Sequence, residues 1–413
     1  MTDATLQQVV QKITDYLESR REAMISLLAE LVNLDSPSDD KALLDACATR
    51  LAAELAARGC TLERVPARAA GDHLIGRFGS AATRPEPRSG GDGAAPCPAG
   101  GRVLLLAHYD TVWPAGEARR RPFRREGRRG FGPGAFDMKG GIVIGLFALE
   151  ALAAIPESGM PRPGVTFLLT SDEEVGSTTS RPLIERLARE HAAVLVLEPA
   201  AGGRLKIARK GVGDFVLRVR GREAHAGNDP ERGVSAVEEL ARQVLRLHAL
   251  TDPGRGTTVN VGVIRGGLRP NVIAGAAEAQ IDVRVSSQAE AARILELFRS
   301  WQPVLPGARV TIEGDFNRPP MEPTPANLAL LERARAVGRL LGLELAGASV
   351  GGASDGNFTS ALGVPTLDGL GATGDGAHAP DEHVLLDELP VRAALLAGLL
   401  ADLAARPPGP TSA

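Results

Sequence analysis

Three short apolar runs in this chain each stop at a residue able to ligate a metal. Val103-Leu-Leu-Leu-Ala107 ends at His108, with Asp110 two residues on. Val165-Thr-Phe-Leu-Leu-Thr170 ends at Ser171-Asp172-Glu173-Glu174, and Ala193-Val-Leu-Val-Leu197 ends at Glu198. Apolar runs of this length without polar alternation predict strands buried on both faces, as in a parallel sheet covered by helices. In such sheets the ligand sits beyond the carboxyl ends of the strands. The chain is therefore constrained to an α/β fold with a His and several carboxylates gathered at one end of its sheet.

The 413 residues suffice for two domains, each with its own core. A content of 44% hydrophobic and 23% charged residues places the chain among ordinary globular proteins. With 47 basic and 50 acidic residues the net charge is −3, which makes no case for nucleic acid or a membrane surface as partner. Ten Phe, two Trp and two Tyr are too few for a base-stacking platform. Cys47, Cys60 and Cys97 form no close pair and suit reduced thiols. The segment Met1-Thr-Asp-Ala-Thr-Leu-Gln-Gln8 lacks a basic stretch followed by an apolar core, and no apolar stretch would span a bilayer. A cytoplasmic protein is expected.

Residues 4–32 read as amphipathic helix, and 41–58 repeat that character after the turn-rich Asp35-Ser-Pro-Ser-Asp-Asp40. Gly79 to Gly101, rich in Gly, Pro, Ala and Ser, reads as a surface loop between strands. From about Lys210 to Arg318 the pattern changes. Strands at Asp214–Arg220 and Thr257–Ile264 flank a helix from Val234 to Leu250. Ala277, Ala279, Ile281, Val283 and Val285 alternate with Glu278, Gln280, Asp282 and Arg284, a strand with one wet face. A helix through Ala291–Trp301 and a strand at Arg309–Ile312 complete a β-α-β-β-α-β order, the split βαβ (ferredoxin-like) unit. The expected organisation is a first domain in two parts, 1–209 and 322–413, with a second domain inserted at 210–321.

Seven histidines are present, so each can be weighed. His108 stands at a strand end, and His378 lies in Gly369-Leu-Gly-Ala-Thr-Gly-Asp-Gly-Ala-His378, where glycines permit close backbone approach. Asp137 lies between Gly132-Pro-Gly-Ala-Phe136 and Met138-Lys-Gly-Gly141, where a helix begins. Glu174 and Glu198 supply further oxygens. Two imidazoles and three carboxylates suit a pair of zinc ions better than calcium or magnesium, which prefer oxygen shells. One carboxylate must then bridge, and a water between ions about 3.5–4 Å apart becomes a nucleophile near neutral pH. Adjacent Glu173 and Glu174 cannot point the same way from an extended segment, so one can bind metal while the other takes the water's proton.

These residues resemble the co-catalytic dinuclear zinc peptidases and amidohydrolases, a family that includes bacterial glutamate carboxypeptidase, aminoacylase and succinyl-diaminopimelate desuccinylase. The matching stretches are His108-Tyr-Asp-Thr-Val112, Gly132-Pro-Gly-Ala-Phe-Asp137-Met-Lys-Gly-Gly141, Asp172-Glu-Glu-Val-Gly-Ser177, Leu197-Glu-Pro199, Gly221-Arg-Glu-Ala-His225-Ala-Gly227 and His378-Ala-Pro-Asp-Glu-His383. The resemblance covers nearly the whole chain. It implies a mixed-sheet α/β zinc-exopeptidase domain with an inserted lid and dimerisation domain. His108, Asp137 and Glu198 would hold one Zn2+, and Asp137, Glu174 and His378 a second, with Co2+ or Mn2+ as substitutes. Glu173 would be the general base and Asp110 the partner that holds the tautomer of His108. His383 is read as structural. His225 would donate to the oxyanion, commonly across a homodimer formed by the inserted domain.

Within the family the glutamate carboxypeptidase branch is the nearest pattern, through Ala224-His-Ala-Gly-Asn-Asp-Pro-Glu-Arg-Gly-Val234 and the glycine-rich substrate loop Gly351-Gly-Ala-Ser-Asp355, which contains Gly352. The resemblance marks Arg284 as the clamp for a substrate carboxylate, a task suited to its planar fork. Asn271 would hydrogen-bond the same group, and Arg318 would meet an acidic side chain. The seven arginines between Arg119 and Arg129 read as a solvated loop, with attraction of acidic substrates as the alternative. The expected activity is release of a C-terminal amino acid, glutamate by this branch, from an N-acyl or short peptidyl substrate. An N-acyl-amino-acid deacylase or dipeptidase is the runner-up. A silent binding protein on the same fold is the remote reading, since such a protein should have lost Glu173 or a ligand.

Overall fold

The computed structural model describes residues 3–79, 102–155 and 163–408; the surface loop expected at 80–100, with Cys97, lies outside them. The chain divides into two compact units, one of Met1–Ile207, Pro323–Ser349 and Ser354–Ala413, the other of Ala208–Glu322 with Val350–Ala353.

In the first unit the described residues form a six-stranded sheet. Its spatial order is Thr61–Val65, His73–Phe78, Val165–Thr170, Val103–His108, Ala193–Val196 and Thr366–Leu367. Val103–His108 pairs in parallel with both Val165–Thr170 and Ala193–Val196, and Thr366–Leu367 extends the parallel part. The first two strands join antiparallel, so the sheet is mixed. All three apolar runs are buried along their strands. Their side chains alternate between two cores because successive Cβ atoms leave a strand on opposite faces. Val103, Leu105 and Ala107 join the larger core with helices Asp3–Ser19, Arg21–Val32, Gly140–Ala154 and Leu389–Ala405. Leu104 and Leu106 join the smaller one with helix Arg181–Arg189 and Phe358.

The continuous helix expected over 4–32 is two helices, Asp3–Ser19 and Arg21–Val32, broken at Arg20. The Ser19 hydroxyl donates back to the Tyr16 carbonyl at 2.6 Å, a local alternative to the helical ladder. The turn also aims the Arg20 guanidinium at Glu150, 2.9 Å away.

Two glycines let a helix and a loop close on the strand end that carries Glu198. A Cβ on Gly141 or Gly371 would stand 2.0 or 2.1 Å from the Leu197 carbonyl oxygen. Arg392, buried in the last helix, donates to the carbonyls of Gly371 (2.9 Å) and Gly369 (2.5 Å) and so holds the glycine-rich approach to His378.

The second unit runs strand Gly211–Arg220, helix Ala236–His248, strands Thr258–Gly266 and Ala276–Val285, helix Gln288–Arg299 and strand Arg309–Arg318. Its antiparallel sheet has the order Thr258–Gly266, Ala276–Val285, Gly211–Arg220, Arg309–Arg318, the split βαβ arrangement. One face of the two central strands is buried with Phe298 and Trp301, and the other is wet. Ser235 and Ser287 cap the helices, accepting from the N–H of Glu238 and Glu290 three residues on. No helix among the described residues is long and apolar enough to cross a membrane.

Candidate metal centre

Each of the three apolar strands delivers its terminal polar residues to the same place. His108 ends its strand, is 2% exposed, and fixes its backbone by donating from N–H to the Met138 sulfur at 3.4 Å. Its Nε2 lies 3.3 Å from Asp137 Oδ1 and 3.3 Å from Glu198 Oε1. His378 Nε2 lies 3.3 Å from Asp137 Oδ2 and 3.3 Å from Glu174 Oε2. Asp137 thus turns one oxygen to each histidine, between a first group with Glu198 and a second with Glu174. One ligand atom each from His108, Asp137 and Glu174 lie within 4.8 Å of one another.

These separations fit ions with short bonds to nitrogen and oxygen. Tetrahedral zinc with bonds of about 2.0–2.2 Å sets its ligand atoms about 3.3–3.6 Å apart. Among the described residues, the buried Asp137 Oδ1 and Glu174 Oε1 accept no hydrogen bond, as oxygens reserved for a cation would be. The electrostatics agree. Burial alone would push His108 down, but the neighbouring carboxylates of Asp110, Asp137 and Glu198 outweigh it and hold its pKa well above the usual range. Asp137 and Glu174 raise His378 to about 10. Burial raises Asp137, yet the two imidazoles overcome it and hold it well below the carboxylate range. Burial pushes Glu174 up. Cations bound here would replace those protons, since ligating imidazoles are neutral.

Asp110 is fully buried and does two jobs at once. Its Oδ1 lies 3.4 Å and its carbonyl oxygen 3.1 Å from His108 Nδ1, which fixes the ring. Its carboxylate also accepts from Glu173 N (3.2 Å), Glu174 N (3.1 Å) and Ser38 Oγ (2.8 Å). Glu173–Val175 is a 3-10 turn rather than the extended segment expected. Asp172 makes the turn by accepting from Thr179 and Ser180. In a 3-10 turn neighbouring side chains also diverge, by about a third of a turn. Buried Asp355 accepts from Ser177, just past the turn, and from Thr170 at 3.2 Å.

The remaining candidates lie in the second unit. Arg284 stands on the wet face of Ala276–Val285. Its Nε and Nη2 each lie 3.2 Å from an oxygen of Asp282, and Nη1 donates to the Gly351 carbonyl at 3.2 Å. Gly352 is exposed, and its carbonyl accepts from buried Arg209 at 3.1 Å. His225 is exposed, and its Nδ1 accepts from Gly227 N (3.1 Å) and Asn228 N (3.0 Å), so the proton resides on Nε2. Asn271 is exposed nearby, with its carbonyl accepting from Ala226 N at 3.0 Å. Arg318 is 5% exposed at the end of its strand, which distinguishes it from the solvent-facing Arg284.

Among the seven arginines of 119–129, five have local partners. Arg120 and Arg121 pair with Glu117, Arg125 with Glu22, and Arg128 with Asp387 and Glu388, while Arg124 lies over Phe131. His383 Nδ1 donates to the Asp381 carbonyl (2.9 Å), and the ring packs on Phe131. One residue with no role assigned from sequence is Glu382, buried and bonded to the loop of Asp137. It stands inside the stretch His378–His383, but a lone acid in an aperiodic loop carries no sign of burial.

The profile of peptidase family M20/M25/M40 matches residues 104–402. The chain is 31% identical over 396 residues to carboxypeptidase G2 of Pseudomonas sp. (strain RS-16), covering 93% of this chain and 90% of that protein. It is 30% identical over 403 residues to succinyl-diaminopimelate desuccinylase of Verminephrobacter eiseniae, covering 88% and 92%. Aminopeptidase PepT of Bacillus cereus has a similar fold, with a TM-score of 0.74 at 20% identity over 93% of this chain and 99% of that one.

Proposed function

This chain belongs to peptidase family M20/M25/M40 and is a hydrolase of that metallopeptidase family, and on that premise we propose that it releases a C-terminal amino acid, glutamate, from an N-acyl or short peptidyl substrate. The observation that carries the chemistry is Asp137, with one oxygen 3.3 Å from His108 and the other 3.3 Å from His378. In this reading His108, Asp137 and Glu198 hold one Zn2+, and Asp137, Glu174 and His378 another. When bound, the two cations acidify water and polarise the scissile carbonyl. Glu173, oriented through Asp110, accepts the proton of the attacking water and returns it to the departing amine nitrogen as the C–N bond breaks. His225 offers its Nε2 proton to the oxyanion. Arg284, already aligned by Asp282, takes the substrate carboxylate, with Asn271 beside it and the Gly352 loop against the substrate; Arg318 meets an acidic side chain.

A homodimer through the inserted domain belongs to the same proposal. Thr258–Gly266 is an edge strand, and Val263, Ile264 and Leu268 on or beside it are 40%, 63% and 84% exposed. Exposed apolar residues on an open edge favour pairing with another strand. The glutamate assignment rests on the likeness to carboxypeptidase G2; the likeness to a desuccinylase supports a second reading, removal of an N-acyl group from another amino acid.

One experiment tests activity and specificity together. Hydrolysis is measured on N-acyl amino acids that include an aroyl-glutamate and an N-succinyl diamino acid, after chelation and after return of zinc, cobalt or manganese. Preference for the aroyl-glutamate with metal restored is expected. Full activity in rigorously metal-free protein would overturn the mechanism, and preference for the succinyl substrate would overturn the glutamate assignment.

A further inference from the structure

Four N–H groups from separate stretches of chain converge on one carboxylate that ligates nothing. Glu382 is 1% exposed. Its Oε1 accepts from the backbone N–H of Phe136 and of Asp137, both at 3.0 Å. Its Oε2 accepts from Gly134 N at 2.8 Å and from Trp113 Nε1 at 2.9 Å. The residue's own backbone is held as well: Glu382 N donates to Ala379 O at 3.1 Å, and Gly132 N donates to Glu382 O at 3.2 Å.

The loop so held is irregular, and its own backbone bonds, such as Ala135 N to Gly132 O (3.2 Å) and Lys139 N to Gly134 O (2.9 Å), leave the N–H groups of Gly134, Phe136 and Asp137 to Glu382. Asp137 and Met138 leave helical geometry, at φ −113°, ψ 94° and φ −135°, ψ 38°, and Gly134 is left-handed at φ 71°. Backbone N–H groups in such a segment lack the acceptor a regular helix would supply, and leaving them buried without one is costly. A carboxylate has about four lone-pair sites. Glu382 fills them with four donors, three from residues 134–137 and the fourth from Trp113, five residues beyond His108. It also stands four residues after His378. One side chain therefore ties together the stretches that carry His108, Asp137 and His378.

We propose that Glu382 is the positioning residue that sets the Asp137 carboxylate midway between the two cation sites, acting through the N–H groups of Gly134, Phe136 and Asp137. The proposal rests on the metal reading above. Since both cations share Asp137, a shift of this loop weakens both sites together, which loss of a ligand private to one site does not do. Glu382→Gln presents an NH2 group where the loop presents N–H donors, so at least one bond becomes a repulsion and Asp137 moves.

The test is titration of the full-length chain with Co2+, reading stoichiometry, affinity and the visible d–d absorption, with no substrate present. Two cobalt ions per natural chain are expected. Glu382→Gln should bind both with affinity lower by about 10–100-fold, the usual effect of a partner one bond removed from the ligand, and with an altered d–d band. Glu382→Asp, which keeps the charge but shortens the arm, should fall between and serves if the Gln variant does not fold. Asp402→Asn is the control, because Asp402 is equally buried in Leu389–Ala405 and binds Arg333 and Arg406. It should lower Tm yet leave the cobalt spectrum unchanged. A folded Glu382 variant with natural affinity and band overturns the proposal, as does an equal cobalt loss in Asp402→Asn. A natural chain that binds no cobalt overturns the metal reading itself, and this proposal with it.

Discussion

Glu173 and Glu174 are neighbours of the same chemistry, anchored through their N–H groups to the same Asp110, and only direction separates them. Glu174 reaches His378 and the loop of Asp137. On the proposed mechanism Glu173 is the base, so Glu173→Gln should retain about two metal ions per chain while kcat falls by several orders of magnitude. Metal analysis beside steady-state kinetics checks this; metal lost along with activity would reverse the roles of the two residues. Arg284 invites a sharper test because Asp282 already neutralises part of its charge. Arg284→Ala should lower kcat/KM by about 2–4 kcal/mol, as for loss of a charge-assisted pair. Amidating the substrate carboxylate should cost the natural enzyme a similar amount and the variant little more. Equal losses in both enzymes would show that Arg284 does not sense that group.

At the scale of elements, the apolar strands and the alternating strand of the second unit were legible because burial imposes a period on side chains. The ends of helices and the turns were less so. The break at Arg20 and the 3-10 turn at Glu173 go with particular side-chain contacts, Ser19 to Tyr16, Arg20 to Glu150 and Asp172 to Thr179, and no periodicity announces them. Helix Arg181–Arg189 shows how an element docks through one polar residue at its end. His191 is buried, with Nδ1 donating to the Leu187 carbonyl at 2.6 Å and Nε2 accepting from Thr166 Oγ1 at 2.8 Å, which requires the neutral ring. Burial lowers its pKa to about 4. The unfolded chain takes up this proton near pH 6.5 and the folded chain only near 4. Stability is therefore full above the unfolded value and is lost as pH falls between the two, by about 3 kcal/mol at the limit. Denaturation curves from pH 7 to 4 in chelator should show that much less pH dependence for His191→Gln than for the natural chain. Parallel curves would refute the assignment.

At the scale of the whole molecule, the question is whether one chain holds a complete site. His225 is exposed with its proton on Nε2, and on the proposed reading a second copy pairs along the exposed apolar edge of the inserted unit. If His225 serves the partner's site, a Glu173→Gln chain and a His225→Ala chain, each inactive alone, should together recover activity. Random pairing leaves about one site in four with both residues intact, so the unfractionated mixture should show about a quarter of natural activity and purified heterodimers about half. Activity of mixed dimers purified by two different tags is the measurement. No recovery from proven heterodimers would place His225 in the site of its own chain.

What the sequence determined by itself was chemistry tied to periodicity: apolar strands ending in His108, Glu173, Glu174 and Glu198, and an inserted β-α-β-β-α-β unit. Burial of strands and helices is enforced along the chain, so it leaves a repeating record there. The two-sided placement of Asp137 was implied by the family resemblance, whereas the double duty of Asp110 and the four donors on Glu382 were decided only by the tertiary structure. Each depends on hydrogen bonds between segments far apart in sequence, such as Gly134 with Glu382, 248 positions apart. A hydrogen bond is satisfied by any partner that arrives with the right geometry, so neither partner carries a local mark of the other.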